Sequence, residues 1–137
     1  MKVLVRRTTS AIGAAQPLFA IVEHEPLMAG LVSDMLSSGG VDVEIFVLGA
    51  ELLRSANLPV FQAIILDLSL PDINGFDLMD ALAKSTIGMS MVLMSGHDLA
   101  AVRVAKIYGN GIGLQVRGAL TKPFTREALF AALGLAV

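Results

Sequence analysis

Polar side chains stand directly after four apolar runs of this 137-residue chain. "LFAIV" (18–22) is followed by Glu23, His24 and Glu25. "AIILDL" (63–68) carries Asp67 near its end. "MVLM" (91–94) is followed by Ser95 and Gly96, and "VRGAL" (116–120) leads to Lys122 and Pro123. If these residues meet, the set comprises acids, one hydroxyl and one ammonium. Buried carboxylates repel one another unless a cation or a proton intervenes. A divalent ion bound through oxygen, together with Lys122, is the compensation that these residue types suggest.

For the four groups to meet, the runs must end on the same side of one framework. With "VEIFVL" (43–48) there are five short apolar runs without alternation, the pattern of parallel strands buried on both faces. Helical spacing separates them. In 26–38, Leu27, Leu31, Met35 and Leu36 share a face behind Pro26, which suits a first helical turn. Further helices are expected over 49–56, 75–84, 98–108 and 125–133. In the last of these Thr125 caps the start and Glu127 places negative charge in the first turn.

Five βα units imply an α/β fold, a doubly wound parallel sheet with helices on both faces. The flavodoxin-like (βα)5 order 2-1-3-4-5 follows for five strands, with the site at their carboxyl ends. One domain is expected over 17–137, behind a flexible N-terminal extension over 1–16.

Composition narrows the function classes. A hydrophobic fraction of 55% and a charged fraction of 16% describe a compact chain rather than a disordered one. The net charge of -2 gives no electrostatic case for binding nucleic acid or a membrane surface. With no cysteine, disulfides, thiolate nucleophiles and cysteine zinc sites are excluded. Gln16 and Pro17 interrupt any secretory leader, and no apolar run approaches the roughly 20 residues of a membrane span. A soluble, cytoplasmic protein is the expectation.

"AIILDLSLPDINGFDL" resembles the phosphoacceptor segment of the receiver domains of two-component response regulators. In that pattern an aspartate ends the third strand, a proline stands four residues later and a glycine eight later, matched here by Asp67, Pro71 and Gly75. "VLMSGHD" resembles the hydroxyl and small residue after the fourth strand, and "LTKPF" the lysine–proline pair after the fifth. The similarity spans about 18–133.

The resemblance implies that Asp67 accepts a phosphoryl group from a sensor histidine kinase or a phosphotransfer protein and so controls an output domain or protein. Lys122 and Ser95 would neutralise and hydrogen-bond its oxygens, since phosphoryl transfer mainly asks for positioning and charge neutralisation. Mg²⁺ would be held by Glu23, Asp67 and the backbone carbonyl of Ser69. Such a domain is no conventional enzyme and catalyses at most its own phosphorylation and dephosphorylation. The stretch "AKIYGNGIGLQVRGAL" is similar to receivers fused to cyclic-di-GMP phosphodiesterase domains.

Two residues depart from the family's pattern. His24 stands where the second acid of the metal-binding pair is expected. Imidazole suits Mg²⁺ poorly, so that ion would be held more weakly or replaced by a softer one such as Mn²⁺ or Zn²⁺, or a protonated His24 would stand in for the metal. Ala119 stands three residues before the lysine, where most receivers carry a switching Tyr or Phe. Both departures favour an alternative, a degenerate receiver that binds partners independently of phosphorylation. An aspartyl-phosphate hydrolase would need a second acid at the place of Ser69 and is disfavoured. His97 reads as a loop residue, Glu25 as a rim or first-turn residue, and Met89, Met91 and Met94 as core filling.

Overall fold

All five apolar runs read as strands form strands, and each of the last five strands of the chain is followed by a helix. The computed structural model describes residues 4–6, 16–85, 89–96 and 98–136. The chain order is β1 (Leu4–Arg6), β2 (Leu18–Val22), α1 (Pro26–Ser38), β3 (Asp42–Phe46), α2 (Gly49–Arg54), β4 (Ala63–Asp67), α3 (Gly75–Ser85), β5 (Ser90–Ser95), α4 (Leu99–Gly111), β6 (Gln115–Thr121) and α5 (Arg126–Leu133). The sheet order is β1-β3-β2-β4-β5-β6. Its five parallel strands, β3-β2-β4-β5-β6, have the 2-1-3-4-5 order of the flavodoxin-like fold, as expected.

Burial explains why the inner strands do not alternate, whereas β6, at the sheet edge, departs from the expectation and alternates exposed Gln115 and Arg117 with buried Val116 and Gly118. All five residues of β4 are buried, with Ile64 and Leu66 on one face of the sheet and Ala63 and Ile65 on the other. The first face packs against Leu52 of α2, Leu78 and Leu82 of α3 and Val102 of α4. The second packs against Val32 and Leu36 of α1 and Leu129 and Phe130 of α5. Each fully buried Leu or Ile side chain contributes about 1.5–3 kcal/mol relative to exposure. Met89, Met91 and Met94 are buried in the two cores, as read from their type.

Helix starts follow local chemistry. Pro26 opens α1, the Thr125 hydroxyl accepts from the Ala128 amide at 3.1 Å, and the Asp98 carboxylate accepts from the Ala101 amide at 3.0 Å. The second helix is shorter than the expected 49–56. It ends at Arg54 because Ser55 turns extended and Ser55 and Asn57 direct their side chains to Glu44 of β3.

The sheet has one strand more than the sequence suggested. Within the stretch expected as an extension, Leu4–Arg6 pairs antiparallel with β3, Leu4 opposite Ile45 and Arg6 opposite Val43. This strand occupies the edge that β3 would otherwise expose, and open edges invite pairing with other chains.

Candidate phosphoacceptor site

The carboxyl ends of β2, β4, β5 and β6 converge because parallel strands in register finish together. Asp67 pairs with Met94, and Ser95 with Thr121, so the polar residues at or just beyond these positions surround one opening. The resulting cleft of about 590 Å³ is lined by His24, Asp67, Ser69, Ser95 and Lys122 among others.

Asp67 ends β4 with 0% exposure and sits between two donors. Its Oδ1 accepts from the Ser69 amide at 2.9 Å, and its Oδ2 accepts from the Lys122 ammonium at 3.1 Å. Glu23, also buried, receives Lys122 through Oε1 and the Glu25 amide through Oε2 at 3.1 Å. Lys122 thus bridges two buried carboxylates from elements 99 and 55 residues away in sequence. Its backbone is placed by its own amide, which donates to the Ser95 carbonyl at 2.7 Å.

The electrostatics follow from this crowding. Burial raises the Glu23 carboxyl above its ordinary range, the hydrogen bond from Lys122 pulls the other way, and Asp67 adds to the rise. Burial opposes charge on Lys122, but its hydrogen bonds to Glu23 and Asp67 outweigh it and hold the ammonium above the usual lysine range. One cation facing two carboxylates leaves the cluster one positive charge short.

His24 lies beside that deficit. Its Nδ1 is buried without a hydrogen-bond partner, 3.5 Å from Glu23 Oε2 and 3.6 Å from Asp67 Oδ2. One ligand atom from each of Glu23, His24 and Asp67 lies within 4.8 Å of the others, close enough to share an ion. The residues therefore fit a divalent cation, with two hard oxygens and one nitrogen as donors.

The structure brings the sequence-derived residues together: Glu23, His24, Asp67, Ser69, Ser95 and Lys122 all face the cleft or the carboxylates in it. Glu25 takes the position before α1 and lines the rim. His97 lies outside the described residues. A Cβ added at Gly75 would come within 2.8 Å of Leu68 Cδ2, so the glycine permits the first turn of α3 to close over the loop. At Gly96 an added Cβ would meet nothing within 4 Å, in keeping with an open mouth.

Sequence reasoning missed Asp72. Its two carboxylate oxygens accept from the Gly49 and Ala50 amides, at 3.1 and 3.0 Å, and pin the loop after Asp67 to the start of α2. An acid next to Pro71 was visible, but its partner lies 23 residues away. Phe76, whose ring lines the cleft and meets Tyr108 of α4, was missed for the same reason.

Comparison with known proteins agrees with this geometry. The family model described as the response regulator receiver domain matches residues 19–134. The transcriptional regulatory protein TcrA of Mycobacterium tuberculosis is 27% identical over 113 residues, 82% of this chain and 43% of that protein. The cell cycle response regulator CtrA of Brucella ovis is 30% identical over 111 residues, 81% of this chain and 46% of that protein. The chain thus spans less than half the length of these curated relatives. A response regulator from Colwellia psychrerythraea superposes with a TM-score of 0.74 at 28% identity, covering 88% of this chain and 95% of that one. With an Asp–Lys pair at the strand ends of a 2-1-3-4-5 sheet and a family match over most of its length, this chain belongs to the response regulator receiver domain family.

Proposed function

We propose that the domain is a phosphoacceptor switch in a cytoplasmic two-component pathway. Asp67 takes a phosphoryl group from a sensor histidine kinase or phosphotransfer protein and thereby controls an output domain or partner. The observation that carries this reading is the fully buried Asp67 carboxylate held 3.1 Å from the Lys122 ammonium at an open cleft. In the transfer, a carboxylate oxygen of Asp67 bonds to phosphorus as the bond from phosphorus to the donor group breaks. Lys122 and the Ser95 hydroxyl offer positive charge and a donor to the transferred oxygens, and the Ser69 amide steadies the acceptor carboxylate.

Glu23 and Asp67, with the Ser69 carbonyl, would hold the divalent ion, which supplies further neutralisation of the phosphoryl charge when bound. Mg²⁺ is held less tightly than in receivers with two acids, because His24 takes the place of one.

Acetyl phosphate tests the reading. Incubation with a divalent ion adds the mass of one phosphoryl group to the wild type and none to Asp67→Asn, with acetate as the leaving group. A wild type that stays unlabelled in Mg²⁺, in Mn²⁺ and without metal would favour the phosphorylation-independent interaction module instead.

A further inference from the structure

The Nδ1 atom of His24 is a buried donor or acceptor facing two acceptors, Glu23 Oε2 at 3.5 Å and Asp67 Oδ2 at 3.6 Å, both beyond good hydrogen-bond length. A lone pair in that place repels the carboxylate oxygens unless a cation stands between them. Separations of 3.5 and 3.6 Å, with one ligand atom from each of the three residues within 4.8 Å of the others, let a single ion bind all three.

Lys122 shares Asp67 Oδ2 at 3.1 Å but reaches Glu23 through the other oxygen, Oε1, so no ammonium stands between His24 Nδ1 and Glu23 Oε2. The His24 side chain is 36% exposed as a whole, but its Nδ1 is the buried end, turned to the two carboxylates.

We propose that His24 ligates the site's ion through Nδ1 and makes this a mixed nitrogen–oxygen site, selective for borderline first-row divalent ions such as Zn²⁺, Co²⁺ or Mn²⁺ over Mg²⁺. The inference rests on the reading that Glu23 and Asp67 hold a divalent ion. It goes further in assigning the nitrogen a bond and the site a class of ion. Oxygen-only sites suit Mg²⁺, whereas imidazole stabilises the later first-row ions far more. His24 is then a determinant of metal selectivity and need not weaken divalent binding in general.

Because any oxygen site already favours Zn²⁺ to some degree, the test compares ratios. Dissociation constants for Zn²⁺, Mn²⁺ and Mg²⁺ are measured by competition titration on the unphosphorylated wild type and on His24→Asp. The ratio of Mg²⁺ to Zn²⁺ constants is expected to be at least about tenfold larger in the wild type. Pulsed EPR of the Mn²⁺ protein, prepared with nitrogen-15 histidine, reads the bond directly. Coupling to a directly bound histidine nitrogen is expected in the wild type and absent in His24→Asn. Equal ratios in the two proteins, an absence of nitrogen coupling, or coupling that persists in His24→Asn would overturn the proposal. Acetyl phosphate labelling with Mg²⁺ separates the two readings, since a protein that labels at Asp67 but shows no nitrogen bond keeps its proposed function and loses this one.

Discussion

The phenol of Tyr108 on α4 donates a 2.5 Å hydrogen bond to Asp80 Oδ1 on α3. The bond ties together two helices that flank the cleft, and the ring packs edge-on against Phe76 with centroids 5.1 Å apart. The hydrogen bond to Asp80, with lesser help from burial, raises the phenol above its ordinary 10.0. A raised phenol favours the folded state below its ordinary range, and that contribution is lost as pH climbs through the folded value. Since this is the single tyrosine and there is no tryptophan, absorbance at alkaline pH reads it without interference. The phenol is expected to titrate above 10.0 in the wild type and lower in Asp80→Asn, and identical curves would contradict the bond.

Phosphorylation should be felt at this same pair. Ala119, half-buried on β6 opposite Leu93, offers no ring that can move between two places. A methyl group has little differential contact energy for a phosphoryl group to exploit. The cleft is lined instead by Phe76 of α3 and Ala101 of α4, which brings the Tyr108 contact next to the reacting end of the sheet. Beryllofluoride is therefore expected to change tyrosine emission, and amide exchange over 95–113 more than around 119. A response centred on Ala119 and β6 would refute this route.

The loop after Asp67 depends on Asp72 and Gly49. Asp72→Ala removes acceptors from two amides at the start of α2 and should cost about 0.5–2 kcal/mol, the range of a lost helix cap. A Cβ at Gly49 would fall 2.4 Å from Ile73 Cγ2 and 3.0 Å from Leu78 Cδ2, so Gly49→Ala forces the loop outward and should cost about 1–3 kcal/mol. Both variants are expected to label more slowly with acetyl phosphate while Asp67 itself is intact. Denaturant melts with parallel labelling rates check this, and an unchanged rate in a destabilised variant would show that the clamp does not serve the site.

Lys122→Met strands two buried carboxylates. Breaking such a pair at neutral pH is expected to cost about 3 kcal/mol. Glu23 is already raised by burial, and without Lys122 it rises further, so it takes up a proton as pH falls. A group with a raised folded value regains stability toward low pH. The deficit of Lys122→Met should therefore shrink from pH 7 toward pH 5 in urea melts. A deficit that stays constant across that range would show that the carboxylates are relieved in another way.

Much of this molecule is written in local spacing. Apolar runs such as "AIILD" announce buried strands because both faces of a parallel sheet are covered, and their order with the intervening helices leaves few topologies open. Asp67, Ser95 and Lys122 could be placed at one opening because parallel strands end together. Pro26 and Thr125 marked helix starts through chemistry confined to one turn.

What the sequence could not determine depends on partners far along the chain. A strand of only three residues, Leu4–Arg6, carries too little pattern to be seen and exists through its pairing with β3. The second helix stops at Arg54 because Glu44, on another strand, draws Ser55 and Asn57 toward it. Asp72 became a clamp only when Gly49 and Ala50 arrived beside it. The direction of His24 Nδ1, toward Glu23 and Asp67 rather than toward solvent, is likewise a product of packing. A residue's type sets which bonds it can make, and the tertiary structure decides which partner lies within 3 or 4 Å.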